Sequence, residues 1–478
     1  MGRTVVIPSS LARFLSAFDS RDCNSSVYSI HGSGGKDEKD VQPYHREIFE
    51  ELVKELEGNL ITGIIGARRT GKTTLMYQLI EHLLINKIEP RRILMFTFDS
   101  PIMVADKEII PKILDTFREL YPTEEKLYVF FDEIQYVPEW SRWLKSHYDR
   151  KENLKFVISG SSGTLIYKDT SESLAGRISF YRTHPFTFYE FCAYNKKELA
   201  EVFQGLRTQD FEMEPLLNRE TQARLEFYRS EFSSLFNRYL LFGGIPEVFN
   251  MDLKAAQKWM KSDYLGLVFY RDLLKSFEVR DVKSLEELFF FAAGVHAQRV
   301  NYSTIASTLE TRIETVKQYL YYLEAVNVLQ IINFYSRSIK KQLRAEKKIY
   351  IADSGLRNAV LGNREEALGS EDEVSIMVEG AVAAHLINRF STEFSKYVYY
   401  WRSVYEVDFV VDFENTILPI EVKYRNKMDA RDLKGLLGFM EKFGVRRGIV
   451  VSKDMLRKEE IDGKEIDYIP ARVFLCLF

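Results

Sequence analysis

Apolar positions along the chain follow two rhythms, and the places where one replaces the other divide it. From Leu60 short apolar runs alternate with helical stretches: Leu60–Ile65, Arg92–Phe98, Leu127–Phe131 and Phe156–Ser159, with Ile178–Tyr181 as a fifth. Each is rich in β-branched or aromatic residues, as strands buried on both faces are. Just before them, His45–Leu56 predicts an amphipathic helix with Ile48, Leu52 and Leu56 on one face. This strand–helix alternation predicts an α/β fold built on a doubly wound parallel sheet. From about Glu190 to Glu287 the strand pattern disappears and the chain reads as helical, with a break at Gly243-Gly244-Ile245-Pro246.

The rhythm changes again at Leu288. A helix (LEELFFFAAGVHA), a short helix opening at Ser303 and a longer one from Thr311 precede two β runs, Leu329–Tyr335 and Lys348–Ile351. A basic loop, Ser336 to Arg344, separates the runs, which completes a winged helix-turn-helix outline. Beyond Asp353, helices mix with a strand pair around Val407–Tyr424.

Composition narrows the choices. At 478 residues the chain is too long for one core. Formal net charge is −3, so attraction to nucleic acid has to come from a local patch. Cys23, Cys192 and Cys476 are far apart, which excludes a zinc knuckle or disulfide framework and suits a reducing cytoplasm. No apolar run is long enough to span a bilayer and the first residues lack a signal-peptide core, so a cytoplasmic protein with no membrane partner is expected.

Gly66-Ala67-Arg68-Arg69-Thr70-Gly71-Lys72-Thr73 fits GxxxxGK[ST] at every fixed position, between an apolar strand and a helix that opens with Lys72, Thr73 and Thr74. Glycines let backbone N–H groups curl around phosphates, Lys72 reaches the β- and γ-phosphates, and the Thr73 hydroxyl binds Mg²⁺. The apolar run Leu127–Phe131 ends in Asp132 and Glu133. Asp132 is expected to hold Mg²⁺ through water, and Glu133 to polarise the water that attacks ATP.

FFDEIQYVPEWSRWLKSHYD, KFVISGSS, SLAGR and HPFTFYEF together resemble the AAA-type ATPases of archaea and bacteria over about residues 46–250. The resemblance implies a polar sensor at Ser161 or Ser162, and at Arg177 a γ-phosphate or inter-subunit arginine. A homo-oligomer is compatible with it.

Within Thr311–Val326, Ile313, Val316, Leu320 and Leu323 would face the core, leaving Arg312, Lys317 and Gln318 to meet DNA. The loop adds Arg337, Lys340, Lys341 and Arg344, with Lys347 and Lys348 beyond, a local basic cluster suited to duplex or branched DNA.

In the last region Glu406 and Asp408 share one strand face, and so do Glu421 and Lys423. Pairing the strands gathers Asp408, Glu421 and Lys423, a set able to hold Mg²⁺ or Mn²⁺ and activate water. The spacing resembles the PD-(D/E)XK nuclease core, and the lead-in SIMVEGAVAAHLI resembles its preceding helix, implying Glu379 as a further metal ligand. KIYIADSGLRNAVLG, VEGAVAAHL, VYYWRSVYEVDFVV and PIEVKY resemble the uncharacterised C-terminal region commonly fused to these ATPases.

The expected organisation is a lead-in (1–45), a P-loop ATPase core (46–190), a helical lid (191–287), a winged helix-turn-helix (288–351) and an α/β restriction-endonuclease-like domain (352–478). Two readings remain open: an ATPase that processes DNA, or a STAND-like nucleotide-dependent switch whose last domain only binds a partner.

Overall fold

The computed structural model describes residues 44–98, 106–161, 166, 174–207, 212–391, 396–414 and 416–478. The lead-in up to residue 43, Cys23 and Ser162 lie outside them. The chain divides into two compact units, one ending at Thr183 and one beginning at His184.

In the first unit, β1 (Ile61–Gly66), β2 (Ile93–Thr97), β3 (Leu127–Asp132), β4 (Leu154–Gly160) and β5 (Ile178–Thr183) form a parallel sheet in the order β2-β3-β4-β1-β5. Alternation along the strands sends apolar side chains to both faces. Ile61, Leu94, Phe96, Val129, Phe131 and Ile158 pack with α3 (Ile109–Leu120) and α4 (Trp140–Asp149). Ile64, Met95, Phe130 and Val157 pack with α1 (Phe49–Glu57) and α2 (Lys72–Ile85). The chain leaves β1 and returns at the far edge in β2, so the order reverses beside β1, and the carboxyl ends of β1 and β3 flank β4. Such a switch point leaves a crevice open to ligands.

The second unit starts with helices, among them α5 (Phe188–Asn195) and α6 (Arg229–Phe242), and includes two π-helical stretches, Met260–Tyr264 and Val268–Leu273. There follow α7 (Val282–Gly294), β6 (Arg299–Val300), α8 (Tyr302–Thr308), α9 (Ile313–Ala325), β7 (Leu329–Phe334), α10 (Ile339–Arg344) and β8 (Lys347–Ile351). The basic segment expected as a loop thus contains a short helix, and β6 adds a strand too short to leave a periodic signal. Ile313, expected in the core, is 37% exposed at the first position of α9, whereas Val316, Leu320 and Leu323 are buried.

After α11 (Ser354–Leu361), α12 (Glu371–Phe390) leads into β9 (Val398–Arg402) and the antiparallel β10 (Glu406–Phe413) and β11 (Thr416–Lys423). Then come α13 (Lys434–Phe443), β12 (Arg447–Ser452), β13 (Arg457–Ile461), β14 (Lys464–Pro470) and α14 (Ala471–Leu477). One nine-stranded sheet, β13-β14-β12-β11-β10-β9-β7-β8-β6, runs through all of this. Its continuity comes from parallel pairing of Asn333 and Phe334 in β7 with Tyr399 and Tyr400 in β9. The boundary expected at 351/352 therefore falls inside a single sheet, and the first unit closes at Thr183 rather than at residue 190.

Candidate functional site

The turn between β1 and α2 owes its shape to two glycines with positive φ, Gly66 (154°) and Gly71 (87°). A Cβ at Gly66 would run into the Thr183 backbone, whereas Gly71 faces open space. Thr70 holds the turn from inside: its hydroxyl donates to the Ala67 carbonyl (2.8 Å) and meets the Thr183 hydroxyl at 2.7 Å. Arg68 is half-buried and Arg69, at φ 62°, is exposed. Lys72 is buried, and its ammonium donates to the carbonyls of Gly66 (3.0 Å) and Ala67 (2.8 Å), inside the curl of the loop.

No side chain caps the N-terminus of α2 and no acid stands in its first turn, so the N–H ends around Lys72, Thr73 and Thr74 face outward with the helix's positive pole. Thr73 Oγ1 donates to Asp132 Oδ2 at 2.8 Å. Burial, then the neighbouring Glu133 charge, pushes the Asp132 carboxyl up from its usual range, against the pull of Ser159, Thr73 and Lys72. A buried, crowded carboxylate beside a hydroxyl and a lysine is a hard-oxygen set that gains from a cation. The residues present therefore fit Mg²⁺ and a polyphosphate.

Glu133 caps the turn after β3 in the left-handed region, φ 55°. Its Oε2 accepts from Gln135 Nε2 (2.5 Å) and from the Ser161 hydroxyl (3.3 Å), so of the two serines Ser161 is the one beside the acid. Ser159, to which the sequence pattern assigned no role, is fully buried and donates to Asp132 Oδ1. Its signal was its place two residues before Ser161, at the end of an apolar strand.

Arg177 is elsewhere. Register pairs Ile61 with Ile178 and Gly66 with Thr183, so Arg177 lies at the amino end of the sheet, opposite the glycine turn. Its Nε is bound to Asp149 Oδ1 at 2.7 Å. The length of β5, about 20 Å, separates it from the turn, which excludes contact with a γ-phosphate held by its own chain.

On the second unit, Arg312, Lys317, Gln318, Arg337, Lys340, Lys341 and Arg344 are all exposed. Gln318 Nε2 donates to the Tyr322 hydroxyl at 2.6 Å and the Lys317 ammonium lies 5.8 Å from the centre of the Tyr302 ring. Lys347 and Lys348, counted with this cluster from sequence, are buried instead. Lys347 Nζ caps α10 at the Gln342 carbonyl (2.6 Å).

Lys348 points into the carboxylates. Its Nζ lies 2.9 Å from Glu379 Oε1, 2.8 Å from Glu406 Oε1 and 3.3 Å from Asp408 Oδ1. Asp408 Oδ2 accepts from the Val422 N–H at 2.9 Å, and Lys423 Nζ donates to Glu421 Oε1 at 2.5 Å. The expected residues Glu379, Asp408, Glu421 and Lys423 do converge, with Lys348 and Tyr350 added. Burial alone would raise Asp408, but Lys348 and Lys423 override it and hold the carboxyl below its usual range. Burial and the Asp408 charge push Glu421 up to about 8 despite Lys423.

Among the described residues no helix is long and apolar enough to cross a membrane. Residues 58–192 match the family model described as AAA domain, residues 233–367 a domain of unknown function (DUF8612), and residues 375–473 another (DUF4143). An uncharacterized protein of Haemophilus influenzae is 24% identical over 88% of this chain and 96% of its own length. An uncharacterized protein of Methanocaldococcus jannaschii is 27% identical over 81% of this chain and 80% of its own. Among solved structures, a DNA polymerase III gamma subunit-related protein of Thermotoga maritima is similar at 13% identity and a TM-score of 0.27, covering 59% of this chain and 97% of that one. By its family match, the segment 58–192 is an AAA-type ATPase-like domain.

Proposed function

We propose that this chain binds Mg²⁺·ATP at the glycine turn, hydrolyses it, and couples the cycle to DNA held by a winged helix-turn-helix in its second unit. The observation that carries the reading is the uncapped N-terminus of α2 facing the Thr73–Asp132 pair, with Glu133 next in the chain. Backbone N–H groups and Lys72 bind and orient the phosphates; Thr73 and Asp132 would hold Mg²⁺, which supplies charge neutralisation when bound. Glu133 accepts a proton from the attacking water, and Ser161 orients its carboxylate.

The winged-helix part is supported by chain order, α7-β6-α8-α9-β7-α10-β8, and by a three-stranded antiparallel ribbon β6-β8-β7. The exposed cations of α9 and α10 supply the charge that phosphates need. The order α12-β9-β10-β11-α13-β12 supports a restriction-endonuclease-like core for the last part. Lys348, buried against Glu379, Glu406 and Asp408, argues against metal-dependent cutting there.

A nucleotide-dependent switch is the second reading, favoured by the grip of Gln135 and Ser161 on Glu133. The test is ATP turnover with and without duplex and branched DNA, in wild type and Lys72→Ala. Turnover by wild type alone, raised by DNA, is expected. Turnover that ignores DNA, with no DNA bound, favours the switch; no turnover in either protein sinks the ATPase reading.

A further inference from the structure

A nuclease-like core needs open oxygens converging on one point, since a divalent cation of this kind takes six or so ligands at about 2.0–2.6 Å. Here most of the oxygens nearest Lys348 are committed to cations or backbone. Asp408 Oδ1 meets Lys348 Nζ and Asp408 Oδ2 accepts the Val422 N–H. Glu379 Oε1 accepts from both Lys348 and the Tyr350 hydroxyl, the latter at 2.8 Å. Glu406 divides its oxygens between Lys348 and Arg299, whose Nε lies 2.8 Å from Oε2. Glu421 Oε1 is taken by Lys423, which leaves Glu421 Oε2 as a buried oxygen without a hydrogen-bond partner. Among the described residues no group of three or more His, Cys, Asp or Glu side chains is arranged to hold a metal ion. The donor set does not fit a divalent cation.

The Lys348 side chain is 2% exposed. An ammonium taken so far from water is costly unless several acids surround it, and three do. Strand order puts β9 and β7 between β10 and β8, so Lys348 reaches Asp408 only because the sheet curls β8 towards β10. The cation thus comes from one matched segment, 233–367, while Glu379, Asp408, Glu421 and Lys423 come from the other, 375–473.

We propose that Lys348 Nζ is the resident cation of this cluster, standing between Glu379 and Asp408 where a catalytic metal would have to sit. The cluster ties β8 to α12 and β10 and has no metal to cut with. This stands independently of the nucleotide reading, since no residue of the glycine turn takes part.

The test is Mn²⁺ binding by the full chain without nucleotide, read by electron paramagnetic resonance, with Asp132→Asn in every sample to silence the first unit. The chain with Lys348 intact is expected to bind no Mn²⁺ at this cluster at millimolar metal. Lys348→Met is expected to gain a bound Mn²⁺ that disappears when Asp408→Asn is added. Mn²⁺ bound with Lys348 intact, and absent after Asp408→Asn or Glu379→Gln, would overturn the proposal. That arm needs no Lys348 substitution, so it decides even if Lys348→Met fails to fold. A folded Lys348→Met that gains no Mn²⁺ would also overturn it.

Discussion

Thr73 Oγ1 and Asp132 Oδ2 are joined across 2.8 Å, tying the first turn of α2 to the tip of β3. The two strands that deliver them are separated by β4, so the pair spans the crevice at the switch point. Both oxygens face the uncapped helix end, and a cation placed there is expected to be worth much of the catalytic charge stabilisation. Asp132→Asn should lower ATP turnover by about a hundredfold or more, while Ser159 still fills the buried side. The check is steady-state ATPase beside a thermal melt; unchanged turnover would remove Asp132 from the metal site.

Glu133 is held, not free, and the hold predicts a separation of binding from chemistry. Glu133→Gln keeps the size and much of the hydrogen bonding towards Gln135 and Ser161 but cannot take a proton. Nucleotide affinity should stay within a few fold while turnover falls by about 10²–10⁴. Equilibrium binding of a fluorescent ATP analogue and single-turnover hydrolysis measure the two separately. A parallel loss of both would place Glu133 in binding.

Arg177 gives a prediction of the opposite kind. Bound to Asp149 at the amino end of the sheet, it should leave ATP affinity of the isolated chain unchanged when replaced by Ala. The ion pair is part-exposed, so the stability cost should be below about 1 kcal/mol. Loss of turnover in Arg177→Ala only above a threshold protein concentration would reveal a role across a subunit interface.

How much of this was legible in the sequence depended on whether burial was local. β1 to β4 declared themselves because strands covered on both faces carry few polar interruptions. The glycine turn declared itself because only glycine tolerates the φ at Gly71 and the approach at Gly66. Glu379, Asp408, Glu421 and Lys423 could be grouped because alternation along β10 and β11 fixes their face. Lys348 could not: Lys347-Lys348 after Lys340, Lys341 and Arg344 reads as one solvated run, and only the curl of the nine-stranded sheet buries it. α10 went unread because its six residues hold one apolar pair at helical spacing, Ile339 and Leu343, too short a run to mark a stripe, and both are 72% exposed.

Those exposed cations carry a salt prediction. Arg337, Lys340, Lys341 and Arg344 form no ion pair among the described residues, so their charge is available to phosphates. Replacing Lys340, Lys341 and Arg344 together with Glu should weaken DNA binding. The log–log salt slope should become shallower by about 0.9 for each phosphate that is no longer neutralised. Fluorescence anisotropy over a salt series reads both. Equal slopes in wild type and variant would mean that DNA, if bound, lies on another face.

A buried imidazole makes the second unit sensitive to acid. The Phe188 N–H donates to His385 Nε2 at 2.9 Å, and His385 Nδ1 lies 2.7 Å from the Ala381 carbonyl, which assigns the proton to Nδ1. Burial, with a lesser push from Arg207, lowers the His385 pKa to about 4 from an ordinary 6.5. Between those values the unfolded chain binds a proton that the folded one refuses, so stability falls as pH falls from 6.5 towards 4 and is whole above 6.5. From about pH 7.5 to about pH 5 this residue should cost about 2 kcal/mol. His385→Gln, which cannot ionise, should be less stable at neutral pH because the hydrogen bond from Phe188 is altered, yet lose less stability on acidification. Urea midpoints of both proteins at the two pH values test this. An equal acid loss in wild type and variant would mean that other groups, such as the buried His296, account for the sensitivity.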